Sequence, residues 1–455
     1  MAVSNLHESY AYRVKDWQKI RDCIEGDKAI KSRGTAYIPR LTDQDDPSYN
    51  TYLNRVNFMN ATARTVDALV GLIFAKDAII ETPLSDLELE SITNKQQALH
   101  ELAKELTTEV LTMGRVGMLT DATAANVEAR INGKSYISVY NTEDIINWKY
   151  VDNKSSLIVL REVISVDTDD EFAQKKQTNY RVLDVTDGKY RQRLFTPNND
   201  DSFSVEEIFP RIKGAFLTEI PFVAVGIESF SLEPDKSPIL DLVDTNITHF
   251  KFDIDRGNAL HFIGVPTPYI TGHHPEENEK IRLGSDTFIS LPEPDAKIGI
   301  LELKAEGLGA LADYILELEN RMAFLGAKML KDDKNVGESA QAMELKQNSE
   351  KAILSSIAKN ISMALKFALQ YYCDFAGYNS SNISYQLNSN FGTDKLTDAE
   401  RKQLLLEVQG GMITYNTYFN NMQKANIIEK DVDAETYKMQ LESEAPTMSV
   451  QPVRE

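Results

Sequence analysis

Residues 337–377, "GESAQAMELKQNSEKAILSSIAKNISMALKFALQYYCDFAG", run from one glycine to another with neither glycine nor proline between. As a single helix the run reaches about 58 Å at 1.5 Å per residue, more than the width of a small domain. Its apolar and small residues (Ala342, Leu345, Ala352, Ile353, Ile357, Ile361, Ala364, Leu365, Ala368 and Tyr372) recur on one stripe. Ser349, Ser355, Ser356 and Ser362 lie beside it. Small and β-branched residues on so long a stripe suit close packing against neighbours better than burial in one core. Neighbouring subunits would supply that cover, and heterologous contacts close into a ring when the rotation fits.

The bulk numbers narrow the class. A chain of 455 residues holds roughly two to four packed regions. Hydrophobic residues make up 42% and charged ones 26%, which is globular and too apolar for disorder. Apolar runs such as "ALVGLIFA" around Val70 are far too short to cross a bilayer, so no membrane is expected. The first residues, "MAVSNLHESYAYRVKDW", carry neither an apolar core nor a cleavage site, and nothing in them marks secretion. Cys23 and Cys373 are the only cysteines, so a disulfide framework is excluded and a reducing compartment is expected. The formal charge of -20 rules out coating nucleic acid by bulk attraction, which needs clustered Lys and Arg.

Along the chain the period changes. "ESYAYRVKDWQKIRDCIEGDKAI" places Tyr10, Val14, Trp17, Ile20, Cys23 and Ile24 at helical spacing and stops at Gly26. "GTAYIPRL" reads as an extended break. "YNTYLNRVNFMNATARTVDALVGLIFAKD" resumes the helix with a stripe through Tyr52, Val56, Met59, Ala63, Val66 and Val70, and helices continue to Gly114. Residues 116–230 are short β-branched or aromatic runs, an antiparallel or mixed β region, with Asp187-Gly188 as a hairpin turn. From Pro238 a helical stripe runs through Ile239, Val243, Ile247, Phe250, Ile254 and Leu260. A proline-broken segment follows, then a second helix at 308–330, the polar "KDDKNVG", the long rod, a strand ("NISYQLNSNF") and two or three tail helices. The first tail helix starts at the capping-box pattern of Thr397. The class is α+β, mainly helical.

Candidate chemistry is sparse. "ILELKAEGLGALADYI" places Gly307, Gly309 and Ala312 between a strand and a helix, a low-stringency dinucleotide fingerprint. It lacks the later strand ending in an acid, so a glycine hinge is the plainer reading. Neighbouring His273 and His274 point to opposite faces if extended, a poor metal site within one chain. His249 and His261 are twelve residues apart on one helix and read as interface or surface residues. No nucleophile elbow, Walker A loop or paired-cysteine motif occurs. The chain reads as no enzyme, with neither cofactor nor metal expected. Gly257, inside the first long helix, reads as permitting a kink or a close subunit approach. Lys328, Lys331 and Lys334 surround Asp332 and Asp333 on the loop between two long helices, where function often sits.

The order of these elements resembles the portal proteins of tailed bacteriophages, the ring at the capsid vertex through which DNA passes. The strings "YRVKDWQKIRDCIEGDKAIKSRGTAYIPRL", "YLNRVNFMNATARTVDALVGLIF", "EDIINW", "DLVDTNITHF", "LHFIGVPTPYITG", "MAFLGAKML" and "LTDAERKQLLLEVQGGMITYNTYFNNMQKANII" look closest to the branch once catalogued as an uncharacterised phage domain. The resemblance implies a wing at 1–236, a first stem helix at 237–262, a clip at 263–306 and a second stem helix at 307–330. It further implies a tunnel loop at 331–338, a long wing helix at 339–376, a wing strand at 377–394 and a short crown with its tail at 395–455. DNA would meet Lys328, Lys331, Asp332, Asp333, Lys334 and Asn335 at the tunnel loop, and Lys251 and Arg256 in the stem. His273, His274, Glu276, Glu277 and Arg282 would dock partners at the clip. The implied partners are further copies of the chain (a dodecamer), double-stranded DNA passing non-specifically, the terminase large subunit, the major capsid protein and adaptor or tail proteins. The implied place is the virion, after synthesis in the host cytoplasm. The alternatives are another virion structural oligomer, such as a head–tail adaptor or scaffold, and a nucleotide-binding enzyme built on Gly307–Ala312.

Overall fold

A computed structural model of the chain describes residues 3–122, 135–152, 154–167, 172–198, 200, 202–265, 267–272, 294–301, 306–326, 340–389, 398–424, 427–428 and 432–444. The backbone divides into two compact units, Met1–Ser389 and Asn390–Glu455. The first opens with helices α1 (Glu8–Glu25), α2 (Asp27–Arg33), α3 (Asp46–Leu53), α4 (Ala61–Ile73), α5 (Asp86–Leu89) and α6 (Leu99–Met113), and strand β1 (Ile79–Glu81) lies between α4 and α5. Strands β2 (Arg115–Ala122), β3 (Ser135–Asn141), β4 (Ile145–Val151), β5 (Lys154–Asp167), β6 (Gln174–Thr186), β7 (Lys189–Pro197), β8 (Phe203–Ile208), β9 (Arg211–Ile212), β10 (Ala215–Phe216) and β11 (Phe222–Gly226) follow. Then come α7 (Leu240–Gly264), β12 (Thr267–Thr271), β13 (Lys297–Leu301), α8 (Glu306–Phe324), α9 (Ala340–Ala376) and β14 (Ser384–Gln386). The second unit contains α10 (Asp398–Gln409), α11 (Tyr415–Lys424) and α12 (Ala434–Glu444). The fold is mixed α+β, as the periods anticipate.

Local chemistry sets the boundaries. Gly26 ends α1 at φ 96°, and Gly114 ends α6 in the left-handed conformation at φ 82°. The helix expected to run unbroken from Tyr49 into Ile73 is instead two. Residues 54–60 leave the helical path, and the Asn60 side chain accepts from the Ala63 N–H to start α4 anew. Val56 and Met59 therefore belong to no helical stripe. Gly34–Ala36 is a short 3-10 turn, not extended chain. Asp187 and Gly188 both have positive φ, 50° and 71°, the pair that a two-residue turn between β6 and β7 requires.

Three strands in the order β11-β2-β3, all antiparallel, form a small sheet, and β4-β5-β6-β7-β8 form an antiparallel meander. Helix α9 packs on β2, β3 and β11 and touches α4, α6 and β14. Its residues Leu354, Ile357, Ala358, Ile361, Ala364, Leu365, Ala368, Leu369, Tyr372 and Cys373 are all buried. Ser356 donates to the carbonyl of Ile227 just past β11, Asn360 to that carbonyl and to Gly226 at the strand's end, and Ser362 accepts from Leu387 N–H at 2.9 Å. The stripe expected to need neighbouring subunits is thus covered within the chain from Leu354 onward. The strands that cover it lie more than a hundred residues earlier. Side chains of residues 340–352 fall outside those described. In the second unit Phe419, Met422 and Ile428 make a core edged by Tyr415, Tyr418 and Tyr437.

Candidate functional site

Helices α7 and α8 lie side by side in antiparallel sense. Leu242 clusters with Met322, His249 faces Glu319, and the rings of Phe252 and Tyr314 meet edge to face at 4.7 Å. Partner numbers fall along α8 as they rise along α7. At the far end β12 and β13 close the pair as an antiparallel ribbon, Thr267 opposite Leu301 and Thr271 opposite Lys297.

The pair is buried most deeply toward one end. Leu242, Val243, Ile247, Phe250 and Ile254 of α7, and Ile315, Leu318 and Met322 of α8, are buried. Beyond Ile254 no residue of α7 is fully buried, though 255–259 stay partly covered, and Leu260, Phe262, Val265, Tyr269 and Ile300 stand exposed. Isolated exposed apolar residues mean little, and it is their gathering toward one end of the helix pair that sets them apart. The two helices carry eight carboxylates against three cations, Lys251, Arg256 and Arg321. Some carboxylates are held within the fold: Asp244 by Lys19 at 2.7 Å, Asp253 by Arg256 at 2.6 Å and Asp255 by the Tyr52 hydroxyl. The remaining surface is acidic.

His249, read from the sequence as interface or surface, is 3% exposed. Its Nε2 lies 3.5 Å from Glu319 Oε1. His261 is exposed, and the two are no catalytic pair. Of the stem residues singled out in the sequence, Lys251 is half-buried, and Arg256 is engaged by Asp253 one turn earlier. Lys328, Lys331, Asp332, Asp333, Lys334 and Asn335 lie outside the described residues, as do His273, His274, Glu276, Glu277 and Arg282.

Gly257 serves a closer approach than the subunit contact expected of it. A Cβ there would sit 2.6 Å from Val56 Cγ1 and 3.5 Å from Arg55 Cγ, so the segment between α3 and α4 packs on this bare stretch of α7. An alanine gains about 1 kcal/mol of helix propensity but overpacks by about 1–3 kcal/mol. Gly257→Ala should therefore lower the melting temperature by a few degrees. Gly71→Ala, in α4 with nothing within 4 Å of the added Cβ, should raise it. Opposite shifts in two thermal melts check the pair, and equal shifts would remove the packing role of Gly257.

The glycine string is not a dinucleotide site. Gly307 and Gly309 lie inside the first turn of α8, and among the described residues β13 before them pairs only antiparallel, with β12. The fingerprint needs a parallel βαβ unit. Cys23 and Cys373 are buried, and burial pushes their thiols up to about 12 and about 11, so both are packing residues. Among the described residues no helix is long and apolar enough to cross a membrane.

A family model described as "Domain of unknown function (DUF4055)" matches residues 238–376, the stretch that contains α7, α8 and α9 and less than half of the chain. No curated protein matches. Among solved structures, a chain from the neck of an empty GTA particle computed with C6 symmetry is 11% identical at a TM-score of 0.40. That alignment covers 86% of this chain and 96% of the other. A chain from the virion of the native gene transfer agent (GTA) particle is 13% identical at a TM-score of 0.40, over 85% of this chain and 96% of the other.

Proposed function

We propose that this chain is a structural protein of a tailed-phage-like virion and has no catalytic activity. Within that class the reading best supported is a portal subunit, one segment of a ring through which double-stranded DNA enters and leaves the capsid. The observation that carries it is the α7–α8 pair: two antiparallel helices, buried most deeply toward one end, with an acidic and partly apolar surface. In a ring, the exposed parts of the pair bury their apolar residues against neighbouring copies and leave their carboxylates along a central passage. The order of elements and the quoted strings, which resemble portal proteins, point the same way.

The electrostatics suit passage without grip. Duplex DNA carries a phosphate charge about every 1.7 Å of axis, and a carboxylate-lined wall repels it across a Debye length of about 8 Å at physiological salt. Cations collect between wall and duplex, and Lys251, Arg321 and the lysines at 328–334 give sparse, salt-sensitive contacts. On this reading α7 and α8 are the stem, residues 263–306 the clip that docks the terminase motor and then adaptor proteins, 331–338 the tunnel loop, and 395–455 a short crown.

Negative-stain imaging of the purified full chain, with native mass measurement, tests it. Rings of about twelve copies with a central hole wide enough for a duplex are expected. Rings or stacks without a through-hole would favour an adaptor or scaffold, and compact dimers that bind a nucleotide would overturn the structural reading altogether.

A further inference from the structure

Strand β5 has fourteen residues, yet β4 pairs with it only from Lys154 to Leu160. On the other side β7 pairs with β6 only from Tyr180 to Thr186. Beyond those limits β5 and β6 pair with each other alone, Val163 opposite Thr178 and onward to Asp167 opposite Gln174. The ribbon leaves the sheet at a fixed base, where Glu162 accepts from Arg181 at 2.6 Å and Arg161 contacts Asp144 at 3.3 Å. Past that base Val163 is 54% and Ile164 40% exposed. Adjacent strand residues face opposite ways, so each face of the otherwise polar ribbon shows one uncovered apolar side chain. A two-stranded ribbon in that condition is marginal in water and needs a cover.

The other end of the same strand borders a groove. A cavity of about 1000 Å³ lies between Tyr150 and Lys154–Ile158 on one side and Phe230, Phe367 and Tyr371 on the other. Phe230 and Phe367 meet edge to face at 6.0 Å, and each is about two-fifths exposed. Lys154 stands on the strand wall, while Asp374 stands on the α9 wall and Glu219, just before β11, accepts from the Tyr371 hydroxyl of that wall at 2.8 Å. The ribbon carries matching charge: Asp167 on its β5 strand, and exposed Lys175 and Lys176 on its β6 strand. From Ser156 in the groove to Ser165 in the ribbon is nine strand steps, about 30 Å. One continuous strand holds them apart, so a chain cannot fill its own groove with its own ribbon.

We propose that the β5–β6 ribbon of one copy seats in the aromatic groove of the next, with Lys175, on the Ile164 face, against Glu219 and Asp374 and with Asp167, on the opposite face, toward Lys154. Donor and acceptor at opposite ends of one element make a head-to-tail contact, which repeats around a closed ring. The proposal rests on the ring reading and deepens it by naming one contact between neighbours.

The test is a cysteine pair in the full chain, Ile164→Cys with Phe367→Cys, under mild oxidation, since both natural cysteines are buried. The double variant should give a ladder of covalent multimers on a denaturing gel. The two single variants mixed should stop at dimers, and each alone should give no ladder. In parallel, Val163→Asp with Ile164→Asp should weaken self-association by more than about tenfold in sedimentation. Its melting temperature should stay that of the parent, because both sites are exposed. Rings that form without a ladder would overturn the ribbon contact and leave the portal reading standing. A ladder from open chains that never close would support the contact and sink the ring. Undiminished assembly of the aspartate variant, as from cover by a different protein, would also overturn the contact.

Discussion

Arg115→Ala should cost about 5 kcal/mol, enough to exhaust the stability of many domains. The guanidinium is fully buried at the first residue of β2. It donates to the carbonyls of Thr142 at 2.8 Å, Ile145 at 3.0 Å and Leu232, and to the Thr142 hydroxyl at 3.3 Å. The Trp148 ring lies 4.7 Å away and that of Trp17 5.9 Å, so two indoles sandwich the cation. Burial pushes its pKa down to about 9, and it stays charged at neutral pH. Truncation leaves three buried carbonyls without donors, at about 1–3 kcal/mol each, and opens a void between the rings worth about 2 kcal/mol or more. Removing the buried charge offsets a part of this. Arg115→Lys should fall between, because one ammonium cannot span the same acceptors. Thermal melts followed by circular dichroism decide it. An alanine variant melting within a couple of degrees of the parent would show that the carbonyls find other donors.

Arg21→Ala should cost about 3 kcal/mol, with a pH dependence that identifies the cause. Arg21 on α1 grips Glu109 of α6 at 2.6 and 2.7 Å and Glu143, just before β4, at 2.8 and 2.9 Å. Burial alone would raise Glu143, but the Arg21 hydrogen bonds outweigh it and hold the carboxyl below its usual range. Its contribution is therefore complete above the ordinary glutamate range and is lost as pH falls through the lowered value. Glu109 runs the other way: burial raises it even against Arg21, so its ionisation weakens the fold at neutral pH. Without Arg21 both carboxylates are buried beside each other with only the more distant Arg161 to offset Glu143. Both then rise, and the variant recovers stability as they protonate. Denaturant titrations of parent and variant from about pH 7 to about pH 4 should converge on the acid side. A gap that stays constant with pH would mean that Arg21 acts by packing alone.

What was legible in the sequence depends on how far each residue's partners lie along the chain. Gly26, Gly114 and the Asp187-Gly188 turn act locally, and all three stand where the residues place them. The stripes of α1, α7 and α9 are local too, so the helices themselves were readable. Their cover was not. The α9 stripe invites a neighbouring subunit until β2, β3 and β11 are seen to fold over it. The α7 stripe continues to Leu260, but nothing in its period tells that full burial ends at Ile254. The break at 54–60 hides because apolar spacing persists through it, while a single asparagine side chain restarts the helix. Arg115 and Asp22 look like ordinary surface charges. Their partners, Thr142 and Leu232 for one and Arg33 and Tyr37 for the other, become visible only when the chain is folded. The acidic character of the α7–α8 surface was readable from composition, whereas the depth of burial along the pair was not. The two charged loops given a role by resemblance stand outside the described residues.

Helix α9 also sets the timetable of synthesis. A ribosome adding about 5–20 residues per second takes tens of seconds to reach residue 376. From residue 226, where β11 ends, until residue 376 the strands β2, β3 and β11 exist without the helix that covers their inner face. The nascent chain must carry an uncovered apolar sheet until nearly its last hundred residues emerge, and such surfaces recruit holding chaperones or aggregate. Yield in a heterologous host should therefore be limited by protection of this unfinished intermediate, however stable the finished fold.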